Sequence, residues 1–394
     1  MLLLYAIFFI LLRGKGKQLI RNFLLLFQQP LLGLYLGLIC FSVFWSENPP
    51  ITLKATFGLL FYSLFAVHFA RKYNWQELST IFRWNAVFIA LYSIFSATFV
   101  PSIGLCKKGW CGGFGHPIDL GVLMAMGASL WILNALFNPR YRLRSCLGTM
   151  LCIVVMQYAN SAGAFLVFAT LAIVVLTTTF LKRLNFIQAF IFFVLLLFSL
   201  GTTSIFIIAN LDNFLLFFDK DITLTGRIPL WTLLLQSKIT ERPWLGYGYN
   251  AFWQRWRGNE SPAAGVVKTI IGDGRDWVAH AHNGFFDIVL NIGMIGLLIF
   301  VILFFINIFQ TIKLIMSSGR SESFLPLIIL TFIFMTNLSN SPIIIPSLVW
   351  FQFVIVSVKL NVVQPKEGKT DLANREEHLA MTRIPFASTS AKST

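Results

Sequence analysis

Apolar residues fall in long blocks along this chain, separated by short polar breaks. The blocks lie at about 1–12, 23–45, 52–70, 79–100, 117–137, 145–158, 162–181, 185–209, 284–308, 323–341 and 342–358. Most approach the roughly 20 residues needed to cross a bilayer as a helix. The first is short, the sixth and seventh are separated only by Ala159-Asn160-Ser161, and the last two only by a turn ending in Ser341-Pro342. The pattern predicts an all-α, polytopic transmembrane helix bundle of about eleven spans, with one large external loop holding short interfacial helices.

Composition agrees. Of 394 residues, 57% are hydrophobic and 12% charged, against roughly 25% charged in a soluble domain. The formal net charge of +15 is not a nucleic-acid signal, because most Lys and Arg sit in short clusters between apolar blocks, where they set topology. Arg13, Lys15, Lys17 and Arg21 follow the first block, Arg71, Lys72 and Arg83 flank the third and fourth, and Arg140, Arg142 and Arg144 follow the fifth. Lys182 and Arg183 follow the seventh, Lys313 and Arg320 the ninth, and Lys359 and Lys366 the eleventh. Every odd-numbered exit is basic and therefore cytoplasmic. The other connections (46–51, 101–116, 159–161, 210–283 and 337–341) are then external, the N-terminus outside and the C-terminus inside. An outside start with so short a first block implies that the chain begins late within a longer hydrophobic region; an upstream in-frame start codon adding an apolar run would support this. No cleavable signal pattern precedes a polar domain.

The chain divides into N-terminal membrane helices (1–209), the external loop (210–283), C-terminal membrane helices (284–358) and a polar, disordered tail (359–394). The loop far exceeds the roughly 12–15 residues above which loops are functional or disordered. It is not low in complexity: Trp231, Trp244, Trp253, Trp256, Trp277, Tyr247 and Tyr249 mark an ordered, interface-seeking segment. Cys106 and Cys111 share an external connection and either pair in an oxidising compartment or stay reduced. Cys40, Cys146 and Cys152 lie in spans, where cysteine packs.

Chemistry concentrates at His280-Ala281-His282-Asn283-Gly284-Phe285-Phe286-Asp287, where the loop meets a membrane-length block. Asn283 is a helix N-cap candidate, its side-chain oxygen accepting an unpaired backbone N–H. The helix then starts at Gly284, with His280 and His282 held just above it. Histidine gives and takes protons near neutral pH, so a fixed imidazole here suggests proton transfer on a lipid-borne substrate; the plainer alternative is a helix anchor. Thr225-Gly226-Arg227 opens a second segment, 226–239, whose apolar positions 228, 231, 234 and 235 share a helical face. Arg227 at its start is either a phosphate-binding guanidinium or a headgroup anchor. Pro243-Trp244-Leu245-Gly246-Tyr247-Gly248-Tyr249 offers tight turns and flat aromatic faces that suit a sugar ring or lipid. Asp219-Lys220-Asp221 has metal–nucleotide clamp spacing but reads as solvated charge on an external loop. Gly115-His116-Pro117 can line the same cavity, or His116 can simply start a helix. His68 near a cytoplasmic end and His378 in the tail are not candidates.

Together these residues resemble the bacterial O-antigen ligase and polymerase family, which includes exopolysaccharide polymerases. The resemblance rests on His282-Asn283, nine residues, then Gly293-Met294-Ile295-Gly296, with Thr225-Gly226-Arg227…Trp231 and the 243–249 motif in order before them. Trp45-Ser46-Glu47-Asn48-Pro49 and Gly113-Phe114-Gly115-His116-Pro117 are also similar, so the likeness covers most of 30–345. His-Asn-Gly followed by an aromatic–Asp pair leans toward the exopolysaccharide branch. One departure stands out: many members carry an Arg in the turn corresponding to Ser161-Ala162-Gly163, and this chain has none. Arg275, Lys268 and Arg242 are stand-in candidates.

The resemblance implies a metal-independent, cofactor-free, inverting glycosyltransferase of the inner membrane with its site facing the periplasm. The substrate is a glycan on undecaprenyl diphosphate; the acceptor is another glycan or lipid A core, and a chain-length regulator is an expected partner. His282 would be the base and Arg227 the stabiliser of the departing diphosphate. Asn283, His280, Asp287, Tyr247, Tyr249, Trp231, His116 and Arg275 would bind or orient substrate. A ligase differs only in acceptor, for which no motif is visible. A transporter would place polar residues at mid-membrane, whereas here they gather in an external loop.

Overall fold

The structure, a computed structural model, describes residues 16–181, 227–271, 278–318 and 321–361. The expected spans at 1–12 and 185–209, Asp219-Lys220-Asp221, Thr225, Gly226, Arg275, Trp277 and the tail lie outside the described residues.

Apart from a two-residue hairpin pairing Leu105–Cys106 with Gly109–Trp110, the regular elements are helical. They are α1 (Gly16–Gln28), α2 (Pro30–Phe41), α3 (Pro49–Lys72), α4 (Trp75–Phe99), α5 (Pro117–Phe137), α6 (Arg142–Ala159) and α7 (Ala162–Leu181). After the undescribed stretch come α8 (Arg227–Leu233), α9 (Ala264–Ile271), α10 (Gly284–Ser317), α11 (Leu325–Asn337) and α12 (Leu348–Asn361). Among the described residues, 5 helices are long and apolar enough to cross a membrane, or 6 if one bent pair counts as a span. Cys106 and Cys111 are joined in a disulfide, and Trp110 of the hairpin stacks on Tyr158 of α6 at 4.4 Å.

Four expected spans need correction. The block 23–45 is a pair of helices bent by 107°. Pro30 lacks an N–H and holds Gln29 extended, so the helix cannot run through. Ile20, Phe23, Leu24 and Phe27 form an exposed apolar stripe on α1 at the i, i+3, i+4, i+7 spacing of a surface-lying helix. On its opposite side the buried Asn22 accepts a hydrogen bond from Arg71 Nη1 at 2.5 Å. The last two blocks are shorter helices joined by a longer irregular stretch, 338–347, than the expected turn. Pro342 and Pro346 delay the second helix, and Ser347 Oγ then accepts from Trp350 N at 3.1 Å to start it. The ninth block starts at Gly284 as expected but is not one straight helix. Ile292 and Gly293 leave helical geometry, Gly293 with φ 72° and ψ −176°, a region open essentially to glycine alone.

Such a break exposes helix-end groups, each of which costs several kcal/mol if left unpaired away from water. The segment Pro243–Gly248 answers them. Tyr247 N donates to Leu290 O at 2.8 Å and Gly248 N to Asn291 O at 3.0 Å. Below the break, Met294 N donates to Pro243 O at 2.8 Å and Ile295 N to Trp244 O at 3.4 Å. Trp45 Nε1 donates to Leu245 O at 2.9 Å, and Glu47 N to Tyr247 O at 2.9 Å.

The connections expected on one side do meet at one end of the bundle. Asn160 Nδ2 donates to Lys108 O at 3.3 Å, Asn340 Nδ2 to Asp119 Oδ1 at 3.1 Å, and Asn48 Nδ2 to Gln254 Oε1 at 3.2 Å. At the other end Lys359 Nζ donates to Ala70 O and Tyr73 O. A main apolar core fills the bundle, centred on Tyr35, Trp350, Phe300 and Phe353. The 227–271 segment has a small core of its own, built on Leu230, Leu234, Phe252 and Val266 and reaching Ala281 and Leu290.

A Cβ at Gly293 would lie 1.9 Å from Trp244 O, whereas one at Gly37 meets nothing within 4 Å. Gly293→Ala is therefore expected to lose at least about 2 kcal/mol from backbone strain alone. Gly37→Ala should stay within about 0.5 kcal/mol of the parent. Thermal unfolding in detergent checks this; equal midpoints would mean that the break is not packed against the 243–248 turn.

Candidate active site

Asn283 caps α10 as the sequence predicts. Its Oδ1 accepts from Phe285 N at 3.0 Å and Phe286 N at 3.3 Å. One turn further, Asp287 is fully buried and its oxygens are all engaged. Trp253 Nε1 donates to Oδ1 at 2.6 Å, Ala281 N to Oδ2 at 2.9 Å, and Ser341 Oγ also to Oδ2. Asp287 thus orients the histidines indirectly, through the backbone of the residue between them. The other face of that residue is held too: Trp231 Nε1 donates to Ala281 O at 2.8 Å, and the Trp231 ring stacks on Phe286 at 5.7 Å. Ala281 is clamped at both its N–H and its C=O.

The clamp presents the two imidazoles side by side. Their ring centroids are 4.2 Å apart, and His282 N donates to His280 Nδ1 at 3.0 Å. His282 has φ 54°, a conformation uncommon for a side-chain-bearing residue and found preferentially at functional sites. Arg227, first residue of α8, and His116, N-cap of α5, are close enough for their charges to act on both rings. Burial pushes His280 down to about 4, with the charges of His282, Arg227 and His116 adding to it. Burial, then Arg227 and His116, also lowers His282. Burial lowers Arg227 itself. The site holds two partly buried imidazoles and a half-buried guanidinium, with the exposed His116 acting on both rings through its charge, a set suited to bind an anion and to exchange a proton.

Two expected substrate contacts are instead framework. Tyr247 and Tyr249 are each 2% exposed. Tyr247 Oη donates to Lys238 O and Glu241 Oε2, and Tyr249 Oη to Ile344 O at 2.6 Å. Burial raises both hydroxyls, and their rings have no open face for a sugar. The helical face expected over 226–239 also shifts: Leu230 and Leu234 are buried while Ile228 and Leu235 are exposed, because α8 passes into a wide π turn, Leu234–Ile239. Of the stand-in cations, Arg242 is ion-paired to Glu47 and lies over the Tyr247 ring at 4.9 Å. Lys268 sits exposed on α9.

Sequence reasoning missed Trp253, Ser341, Asn340, Asn291 and Asp119 as parts of the site. Asn291 Nδ2 donates to Asp287 O at 2.6 Å, and its Oδ1 accepts from Asn250 N. Asp119 accepts from Asn340, next to the Ser341 that binds Asp287. The one available signal was polar residues inside otherwise apolar blocks; three of these, Asp119, Asp287 and Asn291, fall within or beside helix starts. Among the described residues, no three His, Cys, Asp or Glu are grouped to hold a metal ion.

Residues 147–301 match the family model described as O-antigen ligase. Over 292 residues the chain is 24% identical to the exopolysaccharide production protein ExoQ of Rhizobium meliloti (strain 1021). That alignment covers 71% of this chain and 65% of the relative, slightly less than two thirds of its length. Both findings support the O-antigen ligase and polymerase family. The family match includes the clamp residues Trp231, Asp287 and Ala281, both imidazoles and the break at Gly293.

Folded His280 resists protonation down to about pH 4, while an unfolded histidine takes a proton near 6.5. Its contribution to stability is therefore full above about pH 6.5 and drains away as pH falls to about 4. Wild-type unfolding midpoints should fall across that window, and His280→Asn should flatten the fall. Parallel curves for the two proteins would show that His280 is not the buried neutral group described.

Proposed function

We propose that the protein is a membrane glycosyltransferase that joins repeat units of an exopolysaccharide or O-antigen, carried on undecaprenyl diphosphate, at the periplasmic face of a bacterial inner membrane. The observation that carries this reading is the pairing of His282 with Arg227. The two come from segments 55 positions apart and share one desolvated cluster. The family match and the exopolysaccharide relative support a lipid-linked glycan as the substrate class.

The chemistry is a displacement at an anomeric carbon. His282 takes the proton of an acceptor-sugar hydroxyl as that oxygen attacks. The new glycosidic bond forms as the bond from the anomeric carbon to the phosphate oxygen breaks, and the electron pair leaves with the diphosphate. Attack opposite the leaving group inverts the centre. Arg227 meets the charge that grows on the departing diphosphate, where a bidentate fork in a desolvated site acts most strongly. A general base of this kind contributes about 10²–10⁴ in rate. Asn283 fixes the start of α10, and Asp287 and Trp231 hold the peptide that aims the imidazole. Arg275 adjoins this region in sequence and is a further candidate for the diphosphate.

A second reading keeps the same chemistry and changes the acceptor to lipid A core or a protein; the family model's description as O-antigen ligase favours it. A transporter fits less well, because the polar cluster lies at one end of the bundle among its connections.

His282→Ala should lower polymer formation by about 10²–10⁴ with normal protein in the membrane. Arg227→Lys should cost about 10² because an ammonium lacks the fork. Normal polymer from either variant would remove that residue from the mechanism. In a deletion strain, single repeats still attached to their acceptor identify a polymerase. Long lipid-linked chains that accumulate unattached identify a ligase, and unchanged glycans contradict both.

A further inference from the structure

Three imidazoles meet at this site, but their ring nitrogens are not equivalent. Nδ1 of His280 accepts the backbone N–H of His282 at 3.0 Å. Nδ1 of His116 accepts the backbone N–H of Ile118 at 3.2 Å, as the N-cap of α5. A nitrogen that accepts a backbone N–H has no proton of its own, so in this arrangement the donor proton of each ring sits on Nε2. His282 is different: among the described residues, neither of its ring nitrogens has a hydrogen-bond partner.

We propose that His116 and His280 form a donor pair whose Nε2–H groups bind the diphosphate oxygens of the lipid-linked substrate, leaving His282 alone to exchange a proton. This rests on the function proposed above and assigns different work to residues that look alike in sequence. It also supplies donors near a turn at Ser161 that carries no Arg, with Arg242 committed to Glu47.

The surroundings explain why N–H donors suit this place. Arg227 already puts one fixed positive charge beside both His280 and His282. Further cations would repel it in a desolvated cluster, whereas an N–H donor binds phosphate oxygen with no such penalty. Among the described residues, two carboxylates nearby are turned to framework. Asp287 is enclosed by Trp253, Ser341 and Ala281, and Asp119, one turn along from His116, accepts from Asn340. The chain of contacts Asp119–Asn340, Ser341–Asp287 and Asp287–Ala281 ties the loop bearing His116 to the one bearing His280 and His282.

Asparagine separates donor from cap. Its Oδ1 can accept the same backbone N–H that Nδ1 accepts, but nothing replaces Nε2–H. The experiment measures binding of geranylgeranyl diphosphate to the full chain in detergent micelles, from pH 5.5 to 8. His116→Asn and His280→Asn should fold, with unfolding midpoints at pH 8 near the parent, and each should bind about tenfold more weakly, as expected for one lost hydrogen bond to a charged group. For His280→Asn the ratio of wild-type to variant affinity should stay constant across that pH range. Wild-type affinity in both Asn variants would show that the imidazoles only brace the backbone and would overturn the proposal. A His280→Asn ratio that grows steeply as pH falls through 6.5 would also overturn it, because the active form would then be the imidazolium. Should a variant fail to fold, ¹⁵N spectra of the wild-type imidazoles at pH 8, assigned with the other variants, give the same test: both rings must carry their proton on Nε2. If the wild type ignores the probe and Arg227→Gln changes nothing, the functional reading itself fails, and the donor pair with it.

Discussion

The break in α10 at Gly293 is the feature on which the rest of the active end depends. A helix interrupted among apolar neighbours must find partners for the carbonyls it leaves above the break and the N–H groups it leaves below. Here Pro243–Gly248 supplies both, with four backbone hydrogen bonds to Leu290, Asn291, Met294 and Ile295. The trade is mutual: the turn gains a fixed seat, and the short upper piece of α10 gains a direction of its own. That piece carries Asn283 at its start and Asp287 in its first turn, so the geometry of the histidines follows from it.

From this seat outward, the frame is built from groups that need each other. Asp287 is a carboxylate with no exposure, tolerable only because Trp253, Ser341 and the Ala281 N–H all donate to it. Trp231 closes the opposite side of Ala281. Three separate parts of the chain, α8, the 250s loop and the 337–341 connection, therefore converge on one peptide. A fully satisfied buried network of this kind rigidifies what it encloses, and what it encloses is the peptide between His280 and His282. Rigid placement is what proton transfer and anion binding both require.

The bundle brings the fourth member. His116 caps α5 and is drawn to the cluster because Asp119, one turn on, meets Asn340 beside Ser341. The N-terminal half of the chain thus completes a site whose other groups come from beyond residue 226. This accounts for a conspicuous economy: His116 and Asn283 each end a loop, start a helix and stand at or next to the site, so capping and site-building use the same residues.

Much of this was legible in the sequence, because it rests on local chemistry and on counting. Apolar blocks long enough to cross a bilayer, basic clusters after alternate blocks, and Asn283 ahead of a helix start are properties of neighbouring residues, and several of the connections they grouped together touch one another in the structure. The histidine stretch and Arg227 stood out because polar groups of those types are rare beside such blocks. What only the tertiary structure decided concerns partners far apart in the chain. The 107° bend at Gln29, the seat of the 243–248 turn on Gly293 and the burial of Tyr247 and Tyr249 were not visible, and neither was the clamp on Ala281. Periodicity reports which face of an element is apolar; it does not report what that face or an orphaned backbone group will meet. Those meetings are set by packing across the whole bundle, and they turned two aromatic candidates into scaffold and one carboxylate into the brace of the site.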